Sequence, residues 1–167
     1  MRKMLIALTA AATLPAMQAQ AHVTVDPAQA APHAYVRAAL RVGHGCGTAA
    51  TTRLTVRLPE GVTGARPMPK PGWTIVLTPR DGAAPAGHGS APEVGAITWE
   101  GGKLPNEYYD EFVLRFRAPN EPGATLWFQV RQECEGGAVT DWAEIPAEGR
   151  RISDYPHPAA AMRLAPR

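Results

Sequence analysis

The sequence predicts an all-β chain, folded as an antiparallel β-sandwich of immunoglobulin or fibronectin type. Three observations carry this expectation. Short segments alternate apolar and polar residues with period two, as half-buried strands do. No segment shows a convincing helical stripe of apolar residues. The 167 residues include 17 prolines and 16 glycines, which break helices and suit turns between strands. The length fits one domain of ordinary size. A closed barrel satisfies the same periodicity, and no internal repeat is seen.

Taken in order, the strands begin at residues 22–25, HVTV, and are interrupted by Pro27 and Pro32. Residues 34–42 (AYVRAALRV) alternate next, and residues 43–47 (GHGCG) form a loop. In residues 51–58, Leu54, Val56 and Leu58 share one face, opposite Arg53, Thr55 and Arg57. Pro67, Pro69, Pro71 and Gly72 make an extended connector. Residues 73–77 (WTIVL) and 96–99 (AITW) read as strands on either side of a Gly-, Ala- and Pro-rich loop at 81–95. Residues 111–117 (EFVLRFR) place Phe112, Leu114 and Phe116 on one face, and residues 126–131 (LWFQVR) do the same with Leu126, Phe128 and Val130. A glycine hairpin at 135–138 leads into the returning strand 139–144. This amounts to about seven to nine strands. The pattern fades at Pro146, so the domain is expected over residues 22–146, with a tail at 147–167.

Residues 1–21 read as a cleaved secretory signal. Arg2 and Lys3 form the positive region, an apolar stretch follows, and Ala19 and Ala21 make a small-x-small cleavage site. The apolar stretch is shorter than the roughly 20 residues of a membrane span. Export to the periplasm is therefore expected, with no membrane span after cleavage. A net charge of +2 is too small to argue for nucleic acid. In an oxidising compartment the two cysteines, Cys46 and Cys134, read as one disulfide; free thiols or a cysteine metal site are the alternatives.

Cleavage after Ala21 makes His22 the first residue. An N-terminal histidine offers two nitrogens in chelating reach, the α-amine and the imidazole Nδ1. Cu(II) favours nitrogen donors in a tetragonal plane. Further donors must come from elsewhere. Glu111 stands out among the acids because it opens a strand whose next residue points inward, which turns its own side chain to the other face. Most of the acids are expected to be solvated. His44 lies in the glycine loop beside Cys46, where it reads equally as a ligand or as a turn residue. His33 is a further histidine, and His88 and His157 read as incidental. Core packing is the first expectation for Trp73, Trp99, Trp127 and Trp142.

Several blocks together resemble the YcnI-like exported copper-binding domain family. They are AHVTVDP (residues 21–27), TTRLTVRLPEGV (51–62), PMPKPGW (67–73), ITWEGG (97–102), LPNEYYDEFVLRFRAP (104–119) and FQVRQECEGGAVTDWAEIP (128–146), with HPAAAMRLAP (157–166) resembling the Gram-negative version. The resemblance implies an Ig-like sandwich that binds one Cu(II) through a single-histidine brace, completed by a glutamate, with a tryptophan close by. Carried over, these are His22, Glu111 with Glu107 as its competitor, and Trp142 with Trp127 as its competitor. The expected role is copper trafficking or homeostasis, not catalysis. The expected partners are the copper ion and another periplasmic copper chaperone or a membrane copper transporter. Two other readings stand beside it: a copper-dependent monooxygenase, which needs a second histidine at the metal, and a metal-free structural module.

Overall fold

The computed structural model describes residues 22–82 and 93–166. The expected signal at 1–21 and most of the loop expected at 81–95 lie outside the described residues. In chain order the strands are β1 (Thr24–Asp26), β2 (Gln29–Ala30), β3 (Tyr35–Val42), β4 (Thr51–Arg57), β5 (Thr63–Pro67), β6 (Thr74–Pro79), β7 (Val94–Leu104), β8 (Asp110–Arg117), β9 (Thr125–Cys134), β10 (Val139–Trp142) and β11 (Ala160–Leu164). The only helical pieces among the described residues are 3-10 turns at Glu135–Gly137 and Ile152–Asp154.

The strands form two sheets. One has four strands in the order β1-β3-β8-β5. The other runs β2-β11-β9-β4-β7-β6, with β10 also paired to β9. Every pairing is antiparallel except β2 with β11. This is the β-sandwich that the alternation predicts.

The alternation also says which faces meet. Leu40, Phe112, Leu114 and Phe116 of the smaller sheet are fully buried, as are Leu54, Val56, Ile97, Trp99 and Phe128 of the larger. Burial of each such side chain contributes about 1.5–3 kcal/mol. The two layers interlock through aromatic edges, with Trp99 and Phe112 centroids at 5.5 Å and Phe116 and Phe128 at 5.6 Å.

The domain does not end at Pro146. Strand β11 lies between β2 and β9, with Met162 and Leu164 fully buried, so the expected tail at 147–167 contains a strand of the larger sheet. The reason it escapes a periodicity reading is chemical. Its inward residues are Ala160, Met162 and Leu164, and the alanines before them blur the alternation. Short strands such as two-residue β2 raise the number of strands above the seven to nine expected.

Met162→Ala should therefore behave as a core truncation, lowering the unfolding free energy by about 2–5 kcal/mol in equilibrium urea denaturation. A loose tail residue would give almost no change.

Candidate metal centre

Trp142 ends β10 and pairs in register with Val130, on the inward side of β9. It is 2% exposed. After Trp142 the chain leaves β9, and it rejoins the same strand where Ala160 pairs with Phe128. The two ends of this excursion are tied together. The Ala143 and Glu144 N–H groups donate to the His157 carbonyl at 3.0 and 3.1 Å, and the Ala159 N–H donates to the Glu144 carbonyl at 2.8 Å. The His157 N–H in turn donates to Glu144 Oε2 at 2.6 Å. These bonds bring the His157 ring to 5.3 Å from the Trp142 ring.

Two more imidazoles reach the same indole from other segments. The His22 ring lies 5.9 Å from it at an interplanar angle of 60°, and the His44 ring 6.1 Å at 69°. The β1–β3 register explains why these two meet. Thr24 faces Arg41, so continuing the ladder by two residues sets His22 opposite Gly43, the neighbour of His44. Among the described residues no three His, Cys, Asp or Glu side chains are already arranged to hold a metal ion together.

A buried polar network fixes the walls of this site. The Trp142 indole N–H donates to Gln132 Oε1 at 2.8 Å. An indole nitrogen only donates, so the amide oxygen of Gln132 must face it. The Gln132 amide nitrogen then donates to the His44 carbonyl and to Thr51 Oγ1, both at 2.7 Å. Gln132 and Thr51 are fully buried. Thr51 points inward because the ladder shifts register between Thr51 and Arg53, which breaks the alternation set by Leu54 and Val56.

The His44 loop is held on its other side as well. The Gly45 N–H donates to Asn106 Oδ1 at 3.1 Å. A Cβ at Gly45 would sit 1.8 Å from the Ala49 carbonyl oxygen, so only glycine allows this approach. Cys46 is bonded to Cys134 at the end of β9, as the cysteine pair predicts, across 88 residues of sequence. A closed loop of that size stabilises the fold by about 4–5 kcal/mol in the chain-entropy model.

The expected site residues divide. His22 and Trp142 come together. Glu111 makes its described side-chain bonds elsewhere, with no hydrogen bond or ion pair to either of them among the described residues. It sits on the outer face of the smaller sheet, two strands away from β1, and pairs with Arg41 at 2.9 Å. That hydrogen bond, and then the charge attraction behind it, holds the Arg41 guanidinium above its ordinary pKa. Glu107 is exposed in the turn before β8. Trp127 pairs with Ala161 and faces outward from the larger sheet, away from Trp142. Alternation alone assigns no role to Gln132, and His157 reads from the sequence as incidental. The sign of Gln132 in the sequence is a polar residue on the inward phase of β9, between Val130 and Cys134.

A family model described as a domain of unknown function, DUF1775, matches residues 22–164. The chain belongs to the DUF1775 family. The match begins at His22 and includes β11. A DUF1775 chain is thus expected to keep the strand that follows the Trp142–His157 excursion. An uncharacterized protein from Nocardia farcinica, whose crystal structure is described as revealing an immunoglobulin-like fold, is 32% identical. It superposes with a TM-score of 0.68 over 86% of this chain and 98% of that one. No curated protein matches the chain.

Gln132→Leu should lower the unfolding free energy by at least about 1–3 kcal/mol, because it leaves the buried indole N–H and the His44 carbonyl unpaired. Urea denaturation followed by tryptophan fluorescence measures this directly. Joint replacement of Cys46 and Cys134 by serine should cost up to about 4–5 kcal/mol in the same assay.

Proposed function

We propose that this protein is an exported Cu(II)-binding protein that carries or buffers copper, not an enzyme. The metal is its cargo, held at the end of the sandwich by the α-amine and imidazole Nδ1 of His22 after cleavage. The observation that carries the reading is the His22 ring lying 5.9 Å from buried Trp142. A residue left over from leader removal has no reason to be held against a buried indole, whereas a chelating residue gains a dry, aromatic wall.

The residues fit the ion. Imidazole and amine nitrogens suit Cu(II), and among the described residues no cluster of methionines or thiols favours Cu(I), both cysteines being in the disulfide. In the uncut chain the His22 nitrogen is an amide bonded to Ala21 and is a poor donor. Processing then creates the site, which places copper binding on the far side of the membrane, in the periplasm. A site with few protein ligands also leaves room for an incoming ligand from an acceptor, either a second copper chaperone or a membrane copper transporter.

The monooxygenase reading has one observation in its favour, the nearness of His44 to the same indole. It requires oxidised oligosaccharides from chitin or cellulose when the copper-loaded protein is given reductant and oxygen. The carrier reading requires none.

Protein beginning at His22 should bind Cu(II) with tryptophan quenching. Protein with one glycine added before His22 should bind at least tenfold more weakly, because its free amine is displaced from the chelate ring. Calorimetry on the two forms checks this, and equal affinities would overturn the brace.

A further inference from the structure

We infer that the second protein ligand to the metal is the His44 Nε2, so that this centre uses two imidazoles. The inference rests on the copper reading above and identifies this chain's own ligand set within it.

The first support is proximity. His22 and His44 lie within 5.9 and 6.1 Å of one indole ring and come from adjacent strand ends of one sheet. The second is tautomer. The His44 Nδ1 lies 2.5 Å from the Gly45 carbonyl oxygen. A carbonyl only accepts, so Nδ1 carries the proton and Nε2 keeps the lone pair. A backbone acceptor behind a histidine is the usual device for orienting a metal ligand.

The third support is rigidity. The His44 carbonyl is held by Gln132, the next residue by Asn106, and Cys46 by the disulfide. Gln132 is also bonded to Trp142, so the ligand and the aromatic wall share one support. Such a loop presents a side chain at little further ordering cost. Only two side chains are needed, because the freed α-amine is the third nitrogen. A pair of histidines is therefore consistent with the lack of any three-residue cluster among the described residues.

The competitors are weaker on the same grounds. The Glu111 carboxylate is engaged by Arg41, two strands from β1. His157 is as close to Trp142 as the others, but its only described hydrogen bonds are through its backbone, so nothing selects a tautomer of its ring. We assign it to the wall of the site.

The test uses protein purified after export, its N-terminus verified as His22 by mass spectrometry, and Cu(II) as the probe. Pulsed EPR of the copper-loaded wild type should show modulation from two imidazoles. This count needs no substitution and so does not depend on a variant folding. His44→Ala should leave one imidazole and lower affinity at least tenfold. It keeps the backbone carbonyl that Gln132 holds, and near-UV circular dichroism checks that the fold is retained. Glu111→Gln should leave both the count and the affinity unchanged, and His157→Ala should leave the count unchanged. A single imidazole in the wild type, or loss of the second imidazole in His157→Ala and not in His44→Ala, overturns the assignment while leaving the copper site standing. Failure of the processed wild type to bind Cu(II) overturns both.

Discussion

The hydrogen bond between the Trp142 indole and Gln132 is the constraint on which the end of the sandwich depends. It is fully buried, and Gln132 passes it on to the His44 carbonyl and Thr51. A polar chain in a dry interior stabilises only when every member is paired, and a half-paired one is worse than an apolar core. Here each polar group of Gln132 has a partner. The network therefore holds β4, β9, β10 and the β3–β4 loop in one arrangement. The disulfide from Cys46 to Cys134 joins the same loop to the same strand two residues further on. Hydrogen bonding and covalent bonding thus converge on one short stretch, and the loop that carries His44 is the part they immobilise.

Most of the fold was legible in the sequence because a buried face imposes its period on the residues. Leu54 and Val56, Phe112 to Phe116 and Leu126 to Val130 all point inward as their alternation predicts. Strand β11 was not legible, since alanines flank its two large residues and its partners are far off in sequence. The site was half legible. His22 and Trp142 are marked by the cleavage junction and by family resemblance. Glu111 was drawn in because the residue after it points into the core, which places it on the outer face but says nothing about neighbours two strands away. His157 and Gln132 depend on an excursion that leaves β9 and returns to it, and periodicity carries no information about such a path.

Membership in DUF1775 and an immunoglobulin-like fold do not decide function, because this scaffold carries many unrelated sites. What bears on function in this chain is three imidazoles from separate segments against a single buried indole. Trp99, the other buried tryptophan, packs in the core against Phe112. The Trp99 indole nitrogen has no hydrogen-bond partner in the structure, while that of Trp142 is tied to the loop that presents His44.

The position of β11 also sets an order of assembly. A chain emerging from its N-terminus has the first ten strands in hand before β11 is available. Yet β2 pairs only with β11, and β1 packs against β11 as well. The segment that begins with His22 is thus secured by pairings of high sequence separation, which are slow to form because a long loop must close first. Until that closure the larger sheet lacks the strand between β2 and β9, and His157 has not been brought to Trp142. The gathering of His22 and His157 against Trp142 is therefore a late product of folding.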